Sequence, residues 1–279
     1  MRPQFAHPTP AGADPAPDKD APPYYLHYQN ITRRFRVKAK GKVEELTALS
    51  GVTLGVRPRE VVAVVGPSGC GKSTLLSLGA GLDKPTEGTV SIGRNPVDGP
   101  HPDVAFMLQK DLLLPWRTIL DNIEFGMEIK GVPAAERTER ARALLSRFGL
   151  DGFADRYPHQ LSGGMRQRAA LARTMALNPA ILLMDEPFSA LDAQTKITLQ
   201  GELARTVREA NVTAVVITHD LTEAVVLADR IYVMSPRPGR ILREIVVDLP
   251  EREDPIQRCF DKETTAYVRE MWSILASCH

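Results

Sequence analysis

The chain has 279 residues, enough for one large domain or two modest ones with an ample core. Its 35 basic and 34 acidic residues leave a net charge of +1, which gives no electrostatic basis for nucleic-acid binding. Three cysteines, Cys70, Cys259 and Cys278, cannot pair off among themselves and suggest a reducing compartment, and no apolar run approaches the roughly 18–20 residues of a bilayer span, so any membrane role requires other subunits.

Residues 1–23 mix Pro with Ala, Asp and Gly and are predicted to form a disordered tail with polyproline II bias. No apolar segment follows Arg2, so no signal peptide is expected. From Tyr24 to Glu60 the pattern is strand-like. Tyr28 to Thr32 alternates, as do Arg33, Phe35 and Val37; Lys38 to Lys42 makes a polar turn, and Leu54 to Val56 resumes extended chain. The basic cluster from Arg33 to Lys42 reads as a solvated hairpin.

Glu60 to Val65 is a short β-branched run, the pattern of a buried strand. It leads into Gly66-Pro67-Ser68-Gly69-Cys70-Gly71-Lys72-Ser73, which fits G-x-x-x-x-G-K-[ST] at every defined position. The glycines let the backbone curl so that successive N–H groups face inward, and at a helix start that ring of donors cradles a polyphosphate. Lys72 supplies a point charge to the β/γ-phosphates, and the Ser73 hydroxyl can ligate Mg²⁺. A helix is predicted from Ser73 and Thr74 onward. Cys70, at that helix N-terminus beside Lys72, is expected to carry an unusually acidic thiol that a ligand bound in the loop protects.

Residues 84–106 predict short strands broken by Pro85, Gly88, Gly93, Pro96 and Gly99. After Gln109 the pattern turns helical, over Thr118 to Lys130, Pro133 to Phe148 and Gly163 to Leu177. In the second of these Ala141, Leu144, Leu145 and Phe148 form the buried stripe. Leu161-Ser162-Gly163-Gly164 is a helix start whose free N–H groups attract an anion. Taken alone, an ordinary cap explains it. It and the phosphate loop look like parts of different subdomains, which two chains head-to-tail could bring together.

Ile181 to Met184 is a buried strand that ends in Asp185 and Glu186, and two acids there are costly without a partner or a task. Behind a phosphate loop, Asp185 would support Mg²⁺, usually through water, and Glu186 would orient or deprotonate the attacking water. Strands recur at Ala214–Ile217, Ile231–Met234 and Ile245–Val247, with helices at 193–210 and 221–228. That alternation implies a mostly parallel α/β sheet, interrupted by a helical insertion. His219, at the carboxyl end of the strand before it, is placed for a γ-phosphate contact. The other histidines, His7, His27, His101, His159 and His279, show no ligand spacing, and no zinc site is read.

Over about residues 26–250 these motifs together resemble the ATP-binding subunit of ABC transporters. The phosphate loop is Gly66 to Ser73, the glutamine loop Gln109, the signature Leu161 to Gly164, and the acidic strand end Asp185 and Glu186. The loop joining the two active sites is Ser189-Ala190-Leu191-Asp192, and the switch histidine is His219. The resemblance implies a P-loop fold of ABC type: a mostly parallel sheet core, an antiparallel β subdomain and a helical subdomain at about 110–165. The cassette would span 24–250, followed by a helical tail at 251–279, too short for a separate regulatory domain. It further implies that two such chains sandwich two ATP molecules, each held by one chain's phosphate loop and, in trans, by Ser162, Gly163 and Gly164 of the other. Catalysis would fall to Glu186, His219 and Lys72, and Mg²⁺ binding to Ser73, Asp185 and Gln109. Phe35 would stack on adenine, with Tyr28 the weaker candidate. The groove near Leu114-Pro115-Trp116-Arg117 would receive a cytoplasmic helix of a permease subunit.

Leu113 to Asn122, Tyr157 to Gln160 and Met234 to Arg240 look like the nitrate/sulfonate/taurine importer group, with Ser189 where that group often has Gly. That narrower resemblance implies a homodimer on the cytoplasmic face of the membrane, working with permease subunits and indirectly with a solute-binding protein. Its solute would be small and anionic. The alternatives are an exporter subunit, a binding switch without turnover, and a soluble ABC ATPase of DNA repair or translation. The last would generally carry a long coiled coil or a second cassette, and neither is found.

Overall fold

A computed structural model describes residues 24–39, 42–189, 191–252 and 254–278. The predicted tail 1–23, the tip of the polar turn at 40–41 and Ala190 lie outside them.

The described chain opens with a hairpin of β1 (Leu26–Ala39) and β2 (Lys42–Val56). The two alternating segments expected at 28–37 are one strand. A bulge near Asn30, which has a φ of 51°, shifts the register between Tyr28 and Ile31 without ending the pairing. β3 (Val61–Val65) runs through the phosphate loop into α1 (Lys72–Gly79). β4 (Glu87–Ile92) then pairs antiparallel with β1, and β5 (Asn95–Pro96) completes a sheet ordered β2-β1-β4-β5. The basic cluster is partly neutralised within this sheet region: Arg33 pairs with Asp83 at 2.7 Å and Arg34 with Glu87 at 2.7 Å.

β6 (Val104–Met107) precedes the helical insertion, made of α2 (Ile119–Ile129), α3 (Ala134–Arg147) and α4 (Gly163–Met175). Thr118 caps α2 through a reciprocal pair with Asp121, and the Pro133 position opens α3. The chain then alternates through β7 (Ile181–Asp185), α5 (Ala193–Glu209), β8 (Thr213–Thr218), α6 (Leu221–Leu227) and β9 (Arg230–Met234). β10 (Ile241–Val246) closes the second sheet, ordered β10-β9-β3-β8-β7-β6, as its antiparallel edge; the other pairings are parallel.

β3 shows why this sheet is central. All five of its residues are buried, because both faces are covered. Val62 and Val64 pack with α1 and the antiparallel sheet, while Ala63 and Val65 pack with α6 and the C-terminal helix. Each such valine contributes roughly 1.5–3 kcal/mol of transfer free energy. The C-terminal segment forms α7 (Pro255–Phe260) and α8 (Lys262–Ala276), and Met271 of α8 is fully buried against this second face. Arg258 is 1% exposed, and its guanidinium donates to the carbonyls of Val226, Ala228, Leu249 and Pro250, tying α7 to the end of α6.

Tyr28 is fully buried in the core between the sheets, and its hydroxyl has no hydrogen-bond partner among the described residues. It therefore offers no face to a nucleotide, and the weaker candidate for adenine stacking, implied by the family resemblance, is corrected: its place in the strand points its ring into the core. A buried, unpaired hydroxyl costs about 1–3 kcal/mol. Tyr28→Phe is accordingly expected to raise the urea midpoint of unfolding. A lowered midpoint would show that the hydroxyl is satisfied in solution.

Candidate nucleotide site

The parallel register determines where the chemistry gathers. Val65 pairs with Thr218 and Asp185 with Ile217, so the phosphate loop, the acidic strand end and His219 leave the sheet along one edge. There they line a cleft of about 460 Å³ together with Phe35, Gln109 and Arg237.

The loop is built by backbone geometry. Gly71 has a φ of 104°, and a Cβ there would lie 2.8 Å from Leu49 Cδ2 and 3.0 Å from the Ala48 carbonyl. Only glycine fits that approach and that conformation. α1 then starts at Lys72 without a side-chain cap, which leaves its first N–H groups facing the loop. Lys72 is 6% exposed; its ammonium donates to the carbonyls of Gly66 at 2.7 Å and Pro67 at 3.0 Å. Ser68, Gly69, Gly71, Lys72, Ser73 and Thr74 line the cleft. Gly66 and Pro67 shape it through Lys72 instead.

Cys70 does not line the cleft. It is 1% exposed and packs in the core between the sheets. Burial pushes its thiol up, and Lys72 Nζ, 4.0 Å from the sulfur, offsets this only in part. The acidic thiol expected from its position is thus corrected: the side chain turns into the core, where burial outweighs the Lys72 and Cys70 N–H groups and the nearby cations that favour a thiolate.

At the other wall, Glu186 has a φ of 48°, uncommon for a residue with a side chain. Its N–H donates to the Ile217 carbonyl at 2.9 Å, and its own carbonyl accepts from the Ser189 hydroxyl at 3.0 Å. Ser189 thus helps to hold the turn after the strand. That backbone turn presents the Glu186 carboxylate to the cleft. One oxygen, Oε2, accepts from Gln109 Nε2 at 3.1 Å and lies 3.2 Å from His219 Nδ1. Three residues far apart in the chain therefore meet at one carboxylate oxygen.

Asp185 sits behind them and is 6% exposed. Burial pushes its carboxyl above the usual range, as does Glu186, while the Ser73 hydroxyl hydrogen-bonded to it and the Lys72 ammonium oppose the shift. Phe35 forms part of the cleft wall, with the Arg33 guanidinium 4.5 Å from its ring centroid. Ser162, Gly163 and Gly164 do not line this cleft. Ser162 caps α4 by accepting from the Met165 N–H at 3.3 Å.

Arg237 has no role assigned from the sequence. Its Nε donates to the Gly69 carbonyl at 3.0 Å, which places a cation at the rim of the phosphate loop. The run Ser235 to Gly239 that carries it reaches the loop because β9 pairs with β3, and Gly239 permits the contact: a Cβ there would lie 2.2 Å from the Cys70 carbonyl. In the sequence it is only an arginine between two prolines, a pattern that suits any exposed turn.

Comparison with known proteins agrees with this geometry. A family model described as ABC transporter matches residues 49–189. The nitrate import ATP-binding protein NrtD of Synechocystis is 43% identical over 240 residues, covering 84% of this chain and 90% of that protein. The taurine import ATP-binding protein TauB of Burkholderia thailandensis is 46% identical over 207 residues, covering 74% of this chain and 80% of that protein. Among solved structures, the dimeric post-hydrolysis state of the ATP-binding cassette MJ0796 bound to ADP and Pi matches with a TM-score of 0.73 at 34% identity, over 80% of this chain and 99% of that one. The chain belongs to the ABC transporter family, in which it is an ATP-binding subunit that hydrolyses ATP.

Proposed function

We propose that this chain drives import of a small anionic solute of the nitrate or sulfonate kind, as a homodimer on the cytoplasmic face of a membrane beside permease subunits. The observation that carries the hydrolytic part is the convergence of Gln109 and His219 on Glu186 Oε2 opposite the phosphate loop. Import is supported by relatives that are named for nitrate and taurine import.

In this reading the inward N–H groups of the phosphate loop and Lys72 hold the triphosphate, Phe35 carries the adenine, and Arg237 adds charge at the rim. Glu186 accepts a hydrogen bond from the attacking water and takes its proton, while Gln109 and His219 hold that carboxylate in place. His219 and Lys72 face the charge that develops on the γ-phosphate. The paired Ser73 hydroxyl and Asp185 carboxylate are hard oxygen donors beside the phosphate site, a set that fits Mg²⁺, with Gln109 near enough in the cleft to sense it. Bound there, Mg²⁺ would neutralise charge on the β- and γ-phosphates.

Ser162, Gly163 and Gly164 complete the site from a second copy, since they lie outside the cleft of their own chain. The segment after Gln109 carries the coupling. Asn122 is fully buried and holds it by accepting from Leu114 N–H at 2.7 Å and donating to the carbonyls of Leu114, Arg117 and Thr118. Arg166 and Arg173 of α4 bind it too, through Asp111 and the carbonyls of Asp111 and Leu112. Movement of the signature helix would thus carry the exposed Leu112 and Trp116, which would face the permease. Cells whose only copy is Glu186→Gln are expected to lose uptake of labelled nitrate or taurine. Retained uptake of both, or loss of efflux instead, would overturn import.

A further inference from the structure

A cluster outside the nucleotide cleft joins two turns that the mechanism needs. After Glu186 the chain passes Leu191 and Asp192 into α5, and Asp192 caps that helix by accepting from the Thr195 N–H at 3.0 Å. After β8 the chain passes His219 into α6, which Asp220 caps: its Oδ1 accepts from the N–H groups of Thr222 at 2.9 Å and Glu223 at 3.1 Å. The other oxygen of Asp220 is turned the opposite way. It lies 2.7 Å from Lys196 Nζ, one turn into α5, and the same ammonium lies 2.8 Å from Glu223 Oε2. The Glu223 side chain is 3% exposed and the Lys196 side chain 21%. One cation thus clamps the start of α5 to the start of α6. A cavity of about 100 Å³ beside the clamp is lined by Glu186, Ser189, Leu191, Lys196, His219 and Glu223.

His219 needs such support. Its side chain is 59% exposed, and among the described residues the approach of its Nδ1 to Glu186 Oε2 is the polar contact that orients it. What determines its place is therefore the backbone on either side. On the carboxyl side that backbone is Asp220, whose N–H also donates to the Thr218 hydroxyl at 3.0 Å. Fixing Asp220 fixes the turn that bears the histidine. A shift of about 1 Å in a catalytic constellation costs on the order of 10²-fold in rate.

We propose that Lys196 is a positioning residue of the hydrolytic centre, locking the His219 turn to the Leu191–Asp192 turn so that hydrolysis proceeds only when both are in register. This rests on the reading of Glu186 and His219 as the hydrolytic pair. The clamp acts on geometry at the γ-phosphate end and not on the phosphate loop, so its loss should lower turnover and leave nucleotide affinity alone.

The test compares steady-state ATP hydrolysis and equilibrium ATP binding by the full chain. Lys196→Met is expected to lower kcat by about 10-fold or more, with KM and the Kd for ATP within about 3-fold of the parent. Lys196→Arg, whose fork can serve both carboxylates, is expected to restore most of kcat. Because Lys196→Met leaves Glu223 buried without its cation, Lys196→Met/Glu223→Gln removes that charge and should fold while remaining slow. Parental kcat in Lys196→Met would overturn the proposal. So would recovery of kcat in the double variant, or a change confined to KM. Glu186→Gln runs alongside: if it hydrolyses ATP normally, the assignment of the hydrolytic pair fails, which is a different result from a neutral Lys196.

Discussion

Glu186→Gln binds ATP as the parent chain does and turns it over on the order of 10²–10³-fold more slowly, the scale of removing one preorganised catalytic group. The substitution keeps the shape of the side chain and one oxygen, so it can still take the hydrogen bond from Gln109 Nε2. What it removes is a base and a negative charge. Glu186 lines the wall opposite the phosphate loop and is not part of that loop, so affinity should be spared. With hydrolysis blocked, ATP remains as the bridge between one chain's phosphate loop and the other's signature. A dimer is therefore expected to accumulate in ATP and Mg²⁺ and to dissolve in ADP. Phosphate release, equilibrium nucleotide binding and light scattering on the eluting peak together measure this. Unimpaired release would remove Glu186 from the mechanism, and a strictly monomeric peak in ATP would remove the sandwich.

Lys72→Ala fails one step earlier. Its ammonium is almost wholly buried and already bonded to two loop carbonyls. It thus serves as a charge for phosphate and as the brace that keeps Gly66 and Pro67 curled. Charge-assisted hydrogen bonds contribute about 1.5–3 kcal/mol each, so losing the phosphate contact alone weakens binding roughly 10- to 100-fold. Loss of the brace adds to this, and hydrolysis should fall to background. Isothermal titration with ATP in the absence of Mg²⁺, where neither hydrolysis nor the trapped dimer intervenes, separates the two variants: Glu186→Gln gives a parental isotherm and Lys72→Ala does not. Parental affinity and turnover in Lys72→Ala would refute its assignment.

Both predictions rest on residues that the chain's local pattern already names. The octet from Gly66 to Ser73, the pair Asp185 and Glu186, and His219 stand at the ends of short apolar runs. Local pattern suffices there, because a buried strand must be apolar throughout and a chemical group must wait for its end. The helices of the insertion were legible for a related reason: Thr118 and Pro133 mark their starts, and the stripe with Ala141 and Leu145 repeats at helical spacing.

Other features depend on which way a side chain turns, and sequence pattern does not record that. Cys70 stands one residue from Gly71 in a loop of inward N–H groups, yet it packs into the core. Tyr28 sits in an alternating strand, and its ring faces the core between the two sheets. Arg237 reaches the phosphate loop only because β9 lies beside β3, a neighbour relation between segments far apart in the chain. Lys196 meets Asp220 and Glu223 by the same kind of juxtaposition.

Sequence alone thus determined the kind of chemistry, since a phosphate loop, an acidic strand end and a histidine at another strand end are each set by neighbours within a few residues. The tertiary structure decided which groups meet. Gln109, Glu186 and His219 share one oxygen, and Lys196 joins two helix starts, because strand order brings them together. That order follows from burying both faces of a parallel sheet, a requirement of the whole chain that no short stretch carries.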